Sequence, residues 1–202
     1  MGRVEFQQWL AAEADKDGLA EFRSGLVDGL RGDILEIGAG SGAMFGYYGE
    51  GVNVTAIEPD DEFRSGAEEA ARAADVMIDV VPGAGESLPC PDASIDAVVA
   101  STVLCSVRSI QQTLAEFKRV LRPGGELRLL EHVRSESWLA GPLMDFFNPV
   151  WLHVNKVGCN WNRRTVEAVR EAGFRVASVR KYKLWSPASP APCPGRLIKA
   201  VR

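Results

Sequence analysis

Asp33-Ile34-Leu35-Glu36-Ile37-Gly38-Ala39-Gly40-Ser41-Gly42 decides how the chain is read. A short apolar strand runs into a glycine-rich turn, and a helix is expected to begin near Ser41. Glycine suits a turn where the backbone bends sharply and a ligand must come close. The N–H groups opening a following helix would point at that ligand. Two ligand classes compete. As Gly38-x-Gly40-x-x-Ala43 the turn fits the dinucleotide fingerprint, with Glu58 at the spacing of the ribose-binding acid. Glu36 argues for the other class. A carboxylate just before the first glycine would repel a pyrophosphate and welcome an ammonium or a sulfonium.

On either side of this stretch the pattern is that of an α/β domain. Residues 52–58 read as a second strand with Glu58 at its C-terminal end, where open α/β sheets bind ligands. A carboxylate there can accept hydrogen bonds from both ribose hydroxyls. The alternative is an acid favouring the next helix N-terminus, since Asp60 and Asp61 follow. Residues 3–30 read as helical, with Phe6, Trp9 and Leu10 on one face and Phe22, Leu26, Val27 and Leu30 on another. Such a segment can pack on the sheet, cover the ligand as a lid, or do both.

Downstream, Asp61 is expected to cap a helix running to about Ala74, followed by a third strand over 76–81. Ile95–Ser101 is a continuous apolar run, as in a strand covered on both faces. Ser109 and Gln112 form a plausible capping box. The helix after them carries Ile110, Leu114, Phe117 and Leu121 on one stripe and stops at Arg122-Pro123-Gly124-Gly125. A fifth strand over 127–133 passes through Glu131-His132. Asn162 is expected to cap a helix over 163–172, ended by Gly173, with last strands over 174–184 and 196–202. The proline-rich residues 186–195 read as a connecting loop.

Residues 137–161 fit no simple αβ unit. They are rich in aromatics and broken by prolines, and they read as an insertion beside the active site. A hydrophobic helix completing the core is a second reading, and a surface touching a membrane peripherally is a third.

The totals narrow the function. The chain has 202 residues and a formal net charge of -4, which suits one domain and lacks the basic stripe of a nucleic-acid binder. Cys90, Cys105, Cys159 and Cys193 are scattered without a C-x-x-C pair. No disulfide framework and no metal site are expected from that spacing, and a reducing, cytoplasmic setting is the default. The first residues lack a signal-peptide core, and no stretch reaches the ~18 apolar residues of a membrane span.

The turn, written E-x-G-x-G-x-G, resembles motif I of the class I S-adenosylmethionine methyltransferases. Residues 82–96 resemble the adenine-contacting segment of that class, often D-A-E-x-L-P-x-x-D-x-S-F-D, but depart from it at Ala84. "VLRPGGEL" before a strand recurs in the class. The stretches "GAMFGYY", "GAGE", "VLCSV", "RVLRPGGELRLLEHV", "NPVWLHV" and "GCN" resemble the methyltransferase-like alkyl thiol S-methyltransferases. The best-known members of that group are membrane-attached through an N-terminal anchor that this sequence does not show.

The resemblance implies a Rossmann-like fold: a mostly parallel seven-stranded sheet of order 3-2-1-4-5-7-6, last strand antiparallel, flanked by helices. The whole chain would be one domain, with residues 3–30 as lid and 137–161 as substrate-side insertion. S-adenosyl-L-methionine (SAM) would be held by Glu36, Gly38, Gly40, Gly42, Glu58, Pro59, the backbone at Gly85, Glu86 and Ser101. The acceptor would meet Cys105, Phe146, Phe147, Trp151 and His153, with His132 as the catalytic base and no metal. The expected reaction is methylation of a small, largely apolar acceptor, a thiol being favoured. Oxygen, nitrogen or carbon acceptors, a nucleotide-dependent oxidoreductase and a non-enzymatic SAM binder are the alternatives.

Overall fold

The computed structural model describes residues 1–154, 158–184 and 193–202. Seven strands form one sheet of order β3-β2-β1-β4-β5-β7-β6. They are β1 (Gly32–Ile37), β2 (Val52–Ile57), β3 (Met77–Val81), β4 (Ile95–Ser101), β5 (Leu121–His132), β6 (Arg175–Leu184) and β7 (Cys193–Val201). Strands β1 to β5 pair in parallel, and β7 runs antiparallel between β5 and β6. Order and direction are those expected.

Side chains alternate between the two faces of a strand, so the sheet separates two apolar layers. Ile34, Val54, Ala97, Val99 and Leu130 pack with Leu26 and Leu30 on one side. Leu35, Ile57, Val98, Leu127, Leu129 and Ile198 pack with Leu114, Phe117 and Val169 on the other. Leu26 belongs to α2 (Ala20–Val27), Leu114 and Phe117 to α4 (Ile110–Val120), and Val169 to α6 (Thr165–Glu171). Phe117 is wholly buried, and its truncation to alanine would cost about 3–5 kcal/mol.

Several local expectations change. No α-helix follows the glycine turn; the chain makes a single 3₁₀ turn at Phe45–Tyr47 instead. Gly42 sits at φ +85°, outside the helical region, and Gly46 and Gly49 follow at once. Glycine disfavours a helix by about 1 kcal/mol per residue relative to alanine, so this segment has no reason to coil. Helix α3 (Asp61–Arg72) is capped by Asp60 rather than Asp61, its carboxylate accepting from the Glu62 and Phe63 N–H groups. Arg164, not Asn162, precedes α6; the Asn162 amide donates instead to Asp145. Strand β5 begins at Leu121, and the register against β4 shifts between Ile95 and Ala97, leaving Arg122–Gly125 as a bulge. Of the proline-rich loop, residues 186–192 lie outside the described residues.

The N-terminal segment forms two helices, α1 (Arg3–Ala14) and α2, joined by a wide turn kinked at Gly18, φ 99°. α1 buries none of its residues fully, and Phe6 stays 44% exposed. It is tied to α3 by Arg3, which pairs with Asp60 at 2.8 Å and Glu62 at 2.9 Å and lies over the Phe63 ring.

Candidate active site

The C-terminal ends of β1, β2, β4 and β5 meet at one edge of the sheet. The glycine turn leaves β1 there. Gly38 and Ala39 donate their N–H groups to the Ile57 carbonyl at 2.8 and 3.1 Å, which pins the turn to β2. Gly38 has φ +65°, and a Cβ on it would fall 2.7 Å from Val103 Cγ2. Only glycine fits both that conformation and the approach of the loop after β4. Gly40 donates its N–H to Glu58 Oε2 at 2.8 Å, and Asp60 donates to Glu58 Oε1 at 3.0 Å. Ser41 donates to Gln7 Oε1 at 2.8 Å, so α1 lies on the turn, as a lid would. The Ser41 hydroxyl is buried and makes no hydrogen bond among the described residues.

Glu36 ends β1 beneath this turn. It is 2% exposed, and its Oε2 accepts from the Tyr48 hydroxyl at 2.7 Å. Burial raises its pKa to about 7, against the opposing pull of Tyr48 and of Arg23. Arg23 is itself paired with Asp15 at 3.1 Å, and the Tyr47 hydroxyl donates to the same carboxylate at 2.8 Å. A buried carboxyl at this point in its titration ionises when a cation arrives beside it. The residues therefore fit a ligand with an ammonium group better than one with a pyrophosphate. Tyr48 was not singled out from the sequence; its only signal was the doubled tyrosine of "GAMFGYY".

The candidate adenine segment follows β3. Gly85 is buried, and a Cβ there would come within 3.1 Å of Thr113 Cγ2 and 3.4 Å of Ile37 Cγ2. Glu86 Oε1 accepts the Arg108 N–H at 2.8 Å, and its carbonyl accepts Gln112 Nε2 at 3.0 Å. The capping box is thus half made: Ser109 accepts the Gln112 N–H, while the Gln112 side chain turns to Glu86. Pro59 is exposed beside Glu58, and Ser101 is half-buried at the end of β4.

At the end of β4 the backbone turns sharply through Thr102, a non-glycine residue at φ 59°. Backbone held in that region stores strain of order 1–3 kcal/mol, which the surroundings must offset. Glu131 supplies the compensation. Its fully buried carboxylate accepts the Val103 and Leu104 N–H groups at 2.9 Å each and the Cys105 N–H at 3.4 Å. Burial raises the pKa of Glu131 to about 7 despite these bonds.

Asn160 donates its N–H to the Cys105 carbonyl at 2.7 Å and its side-chain amide to the same oxygen at 3.1 Å. Cys159 is thereby carried next to Cys105. The carbonyl of Cys159 accepts Trp151 Nε1 at 2.9 Å, and Trp151 stacks on Trp161 at 4.6 Å. The sulfurs of Cys105 and Cys159 and a ring nitrogen of His132 all lie within 4.8 Å of one another. The Cys105 thiol and then His132 draw the Cys159 thiol well below its usual range. The shared bond to Cys159, together with burial, pushes Cys105 up. The expectation of no metal site rested on linear spacing, which cannot show that the fold gathers these three residues.

The insertion is a helix, α5 (Ala140–Val154). Its inner face is set by polar handles: the Met144 carbonyl accepts Trp161 Nε1, Asn148 donates to Asn160, and Trp151 reaches Cys159. Trp151 and Cys105 are therefore brought to the cluster. Phe146 and Phe147 are not; they form an edge-on pair on the outer face, 76% and 47% exposed, with Leu143 and Val150 beside them. His153 is exposed as well. A groove of about 440 Å³ lined by Gln111, Leu114, Lys118 and Ala168 lies on the helical flank, away from these strand ends.

The Methyltransferase domain family matches over residues 35–129. Human thiol S-methyltransferase TMT1B is 35% identical over 167 residues, 78% of this chain and 67% of that protein. Human TMT1A is 36% identical over 148 residues, 70% of this chain and 59% of that protein. The match thus spans 59–67% of the length of these relatives. Among solved structures, a putative methyltransferase from Bacillus halodurans superposes with a TM-score of 0.74 at 15% identity, covering 92% of this chain and 98% of that one; this likeness shows the fold. The chain belongs to the class I methyltransferases that use S-adenosylmethionine, in the same family as TMT1A and TMT1B.

Proposed function

We propose that the chain transfers the methyl group of SAM to the sulfur of a small, largely apolar thiol. The observation that carries this reading is the cluster of Cys105, His132 and Cys159 at the strand ends beside the glycine turn. It is supported by the identity to the two human thiol S-methyltransferases. Bound SAM supplies an electrophilic methyl on a sulfonium.

The chain's residues divide the remaining work. Glu36 attracts the ammonium end. Glu58 gives each oxygen to one backbone N–H, yet a carboxylate has about four acceptor sites, so it can still take the ribose hydroxyls. The backbone at Gly85 meets the adenine. His132 takes the acceptor's proton, or orients its sulfur. A thiol loses its proton far more readily than an alcohol, so this base has less work to do than with such an acceptor. Holding acceptor and methyl in line provides much of the acceleration.

Labelled methyl transfer from SAM to a panel of thiols, phenols, amines and lipids tests this reading. Labelled thioethers are expected. Turnover of phenols, amines or lipids with none of thiols would move the acceptor to another atom on the same scaffold. Binding of S-adenosylhomocysteine without any transfer would make the chain a SAM-binding partner.

The exposed outer face of α5 favours one further reading, that the acceptor is met at a membrane surface. Vesicle flotation of the wild type and of a Phe146→Ser, Val150→Ser variant tests it. Flotation of the wild type alone is expected, and equal recovery in the soluble fraction removes the idea.

A further inference from the structure

We propose that Cys105, His132 and Cys159 form a site for one thiophilic divalent cation of the zinc type, open on one side. Their sulfurs and ring nitrogen already lie within 4.8 Å of one another. Zinc bonds of ~2.3 Å to sulfur and ~2.0 Å to nitrogen in a tetrahedron set such atoms roughly 3.5–3.8 Å apart. The cluster therefore needs to close by no more than about 1.3 Å. The donor set is soft to borderline and selects zinc over magnesium or calcium, which take oxygen ligands.

The surroundings hold the donors in place. Cys105 is fixed through its N–H by Glu131 and through its carbonyl by Asn160. Cys159 is fixed through its carbonyl by Trp151. His132 closes β5 against Gly195 of β7. Partners of this kind orient metal ligands and tune their affinity by roughly 10–100-fold. The imidazole also has unused capacity: Nε2 of His132 is buried and makes no hydrogen bond among the described residues. Buried polar nitrogens are almost always satisfied.

Three protein ligands leave one tetrahedral position open, the arrangement of catalytic rather than structural zinc. No fourth histidine, cysteine or acid joins the group among the described residues, and the Glu131 carboxylate is engaged by backbone N–H groups. The role of the open position rests on the thiol reading above. There the acceptor's sulfur binds the cation and its proton leaves to solvent. The bound sulfur then forms the new bond to the methyl carbon as the sulfonium bond breaks, giving thioether and S-adenosylhomocysteine. In that loaded state His132 is a ligand, and the cation takes over the task of holding the acceptor deprotonated.

The test is cobalt titration of the reduced, chelator-treated protein, followed by zinc competition. One cobalt per chain is expected, with thiolate charge-transfer absorption and the intense visible bands of tetrahedral cobalt, all erased by zinc. Cys105→Ser and Cys159→Ser should each weaken cobalt binding by at least about tenfold, while Cys90→Ser leaves it unchanged. Zinc should also slow alkylation of Cys159 in the wild type, a readout that needs no variant to fold. Absent bands, bands that survive in the Cys105→Ser, Cys159→Ser double variant, or alkylation of Cys159 at the same rate with and without zinc would overturn the site. Rapid formation of a Cys105–Cys159 disulfide with no metal uptake would do the same. Full methyl transfer to thiols by protein free of any cation would overturn the acceptor-holding role. Stoichiometric metal binding without transfer to any thiol would instead sink the thiol reading and leave the site standing.

Discussion

The carboxylate of Glu131 accepts the backbone N–H of Leu104 at 2.9 Å, and this bond ties the loop after β4 to the end of β5. With the Val103 and Cys105 N–H groups on the same carboxylate, Glu131 fixes where Cys105 stands relative to the adjacent His132. A glutamine could keep the two bonds made by Oε1 but would set an NH₂ against the Cys105 N–H. Glu131→Gln should therefore lower stability by about 1–3 kcal/mol and slow methyl transfer. Affinity for S-adenosylhomocysteine should persist, since the bonds that pin the cofactor turn to β2 and to Glu58 are untouched. Denaturant titration and calorimetry check this; unchanged stability would show that the loop holds itself.

Glu36 makes cofactor binding depend on pH. Its pKa is about 7 in the folded protein, against an ordinary carboxyl value near 4.3. Folding therefore takes up a proton between those values. The stabilisation it brings is fully present below about pH 4.3 and is lost as pH rises through about 7. An ammonium group beside the carboxyl favours its ionised form, so binding S-adenosylhomocysteine below pH 7 should release a proton. Affinity should then rise with pH to about 7 and level off, by at most about tenfold per pH unit. Calorimetry in buffers of different ionisation enthalpy reads the proton directly, and Glu36→Gln should abolish both effects. A wild type without proton release would separate Glu36 from the ammonium.

Glu58 should act on the other end of the cofactor. Its two backbone bonds mean that Glu58→Ala also leaves the Gly40 N–H without its acceptor, so Glu58→Gln is the cleaner variant. We expect it to weaken binding of both S-adenosylhomocysteine and methylthioadenosine, which keeps the ribose but lacks the amino acid, by on the order of 1.5–3 kcal/mol. Glu36→Gln should weaken only the former. Equal affinity of Glu58→Gln for methylthioadenosine would remove the ribose assignment.

α1 rests on the turn through Gln7 and on α3 through Arg3, yet buries no residue. Elements with so little burial open locally at low cost. If α1 covers the cofactor, S-adenosylhomocysteine should slow amide exchange across residues 3–14, and Gln7→Ala should blunt the effect. Exchange in α1 indifferent to ligand would make it a packing helix.

The strands and the positions of Glu36 and Glu58 are legible because each strand announces itself by an apolar run ending at a turn; the strand order follows only from the family resemblance. What was missed lies in tertiary partners. Tyr48 on Glu36, Gln7 on Ser41 and Glu131 on the Cys105 loop join residues far apart in sequence, and no local pattern marks them. Cys105 and Cys159 read as scattered for the same reason. The helix expected after Ser41 failed on glycine conformation, which the sequence did hint at through Gly42, Gly46 and Gly49. Phe146 and Phe147 read as acceptor contacts because an aromatic cluster suits a pocket for an apolar acceptor. The polar atoms of Asn148 and Trp151, each with a partner in the segment after the helix, decide which face turns in.

His132 offers the sharpest distinction among acceptors. It stands at the C-terminal end of β5, next to the residue that positions Cys105, with two thiols close by. A general base contributes about 10²–10⁴-fold when the acceptor must lose a proton in the transition state. That contribution shrinks for an acceptor already ionised at working pH. His132→Ala should therefore slow a phenol or alcohol strongly and a low-pKa thiol much less, with the same affinity for S-adenosylhomocysteine. If the cluster holds zinc, the pattern changes in a recognisable way: every thiol slows together, whatever its pKa, and the bound metal is lost with the activity. Rates across thiols of graded pKa, measured alongside metal content, tell the two apart. A small and uniform loss with metal content unaffected would leave His132 only the task of closing β5 against β7.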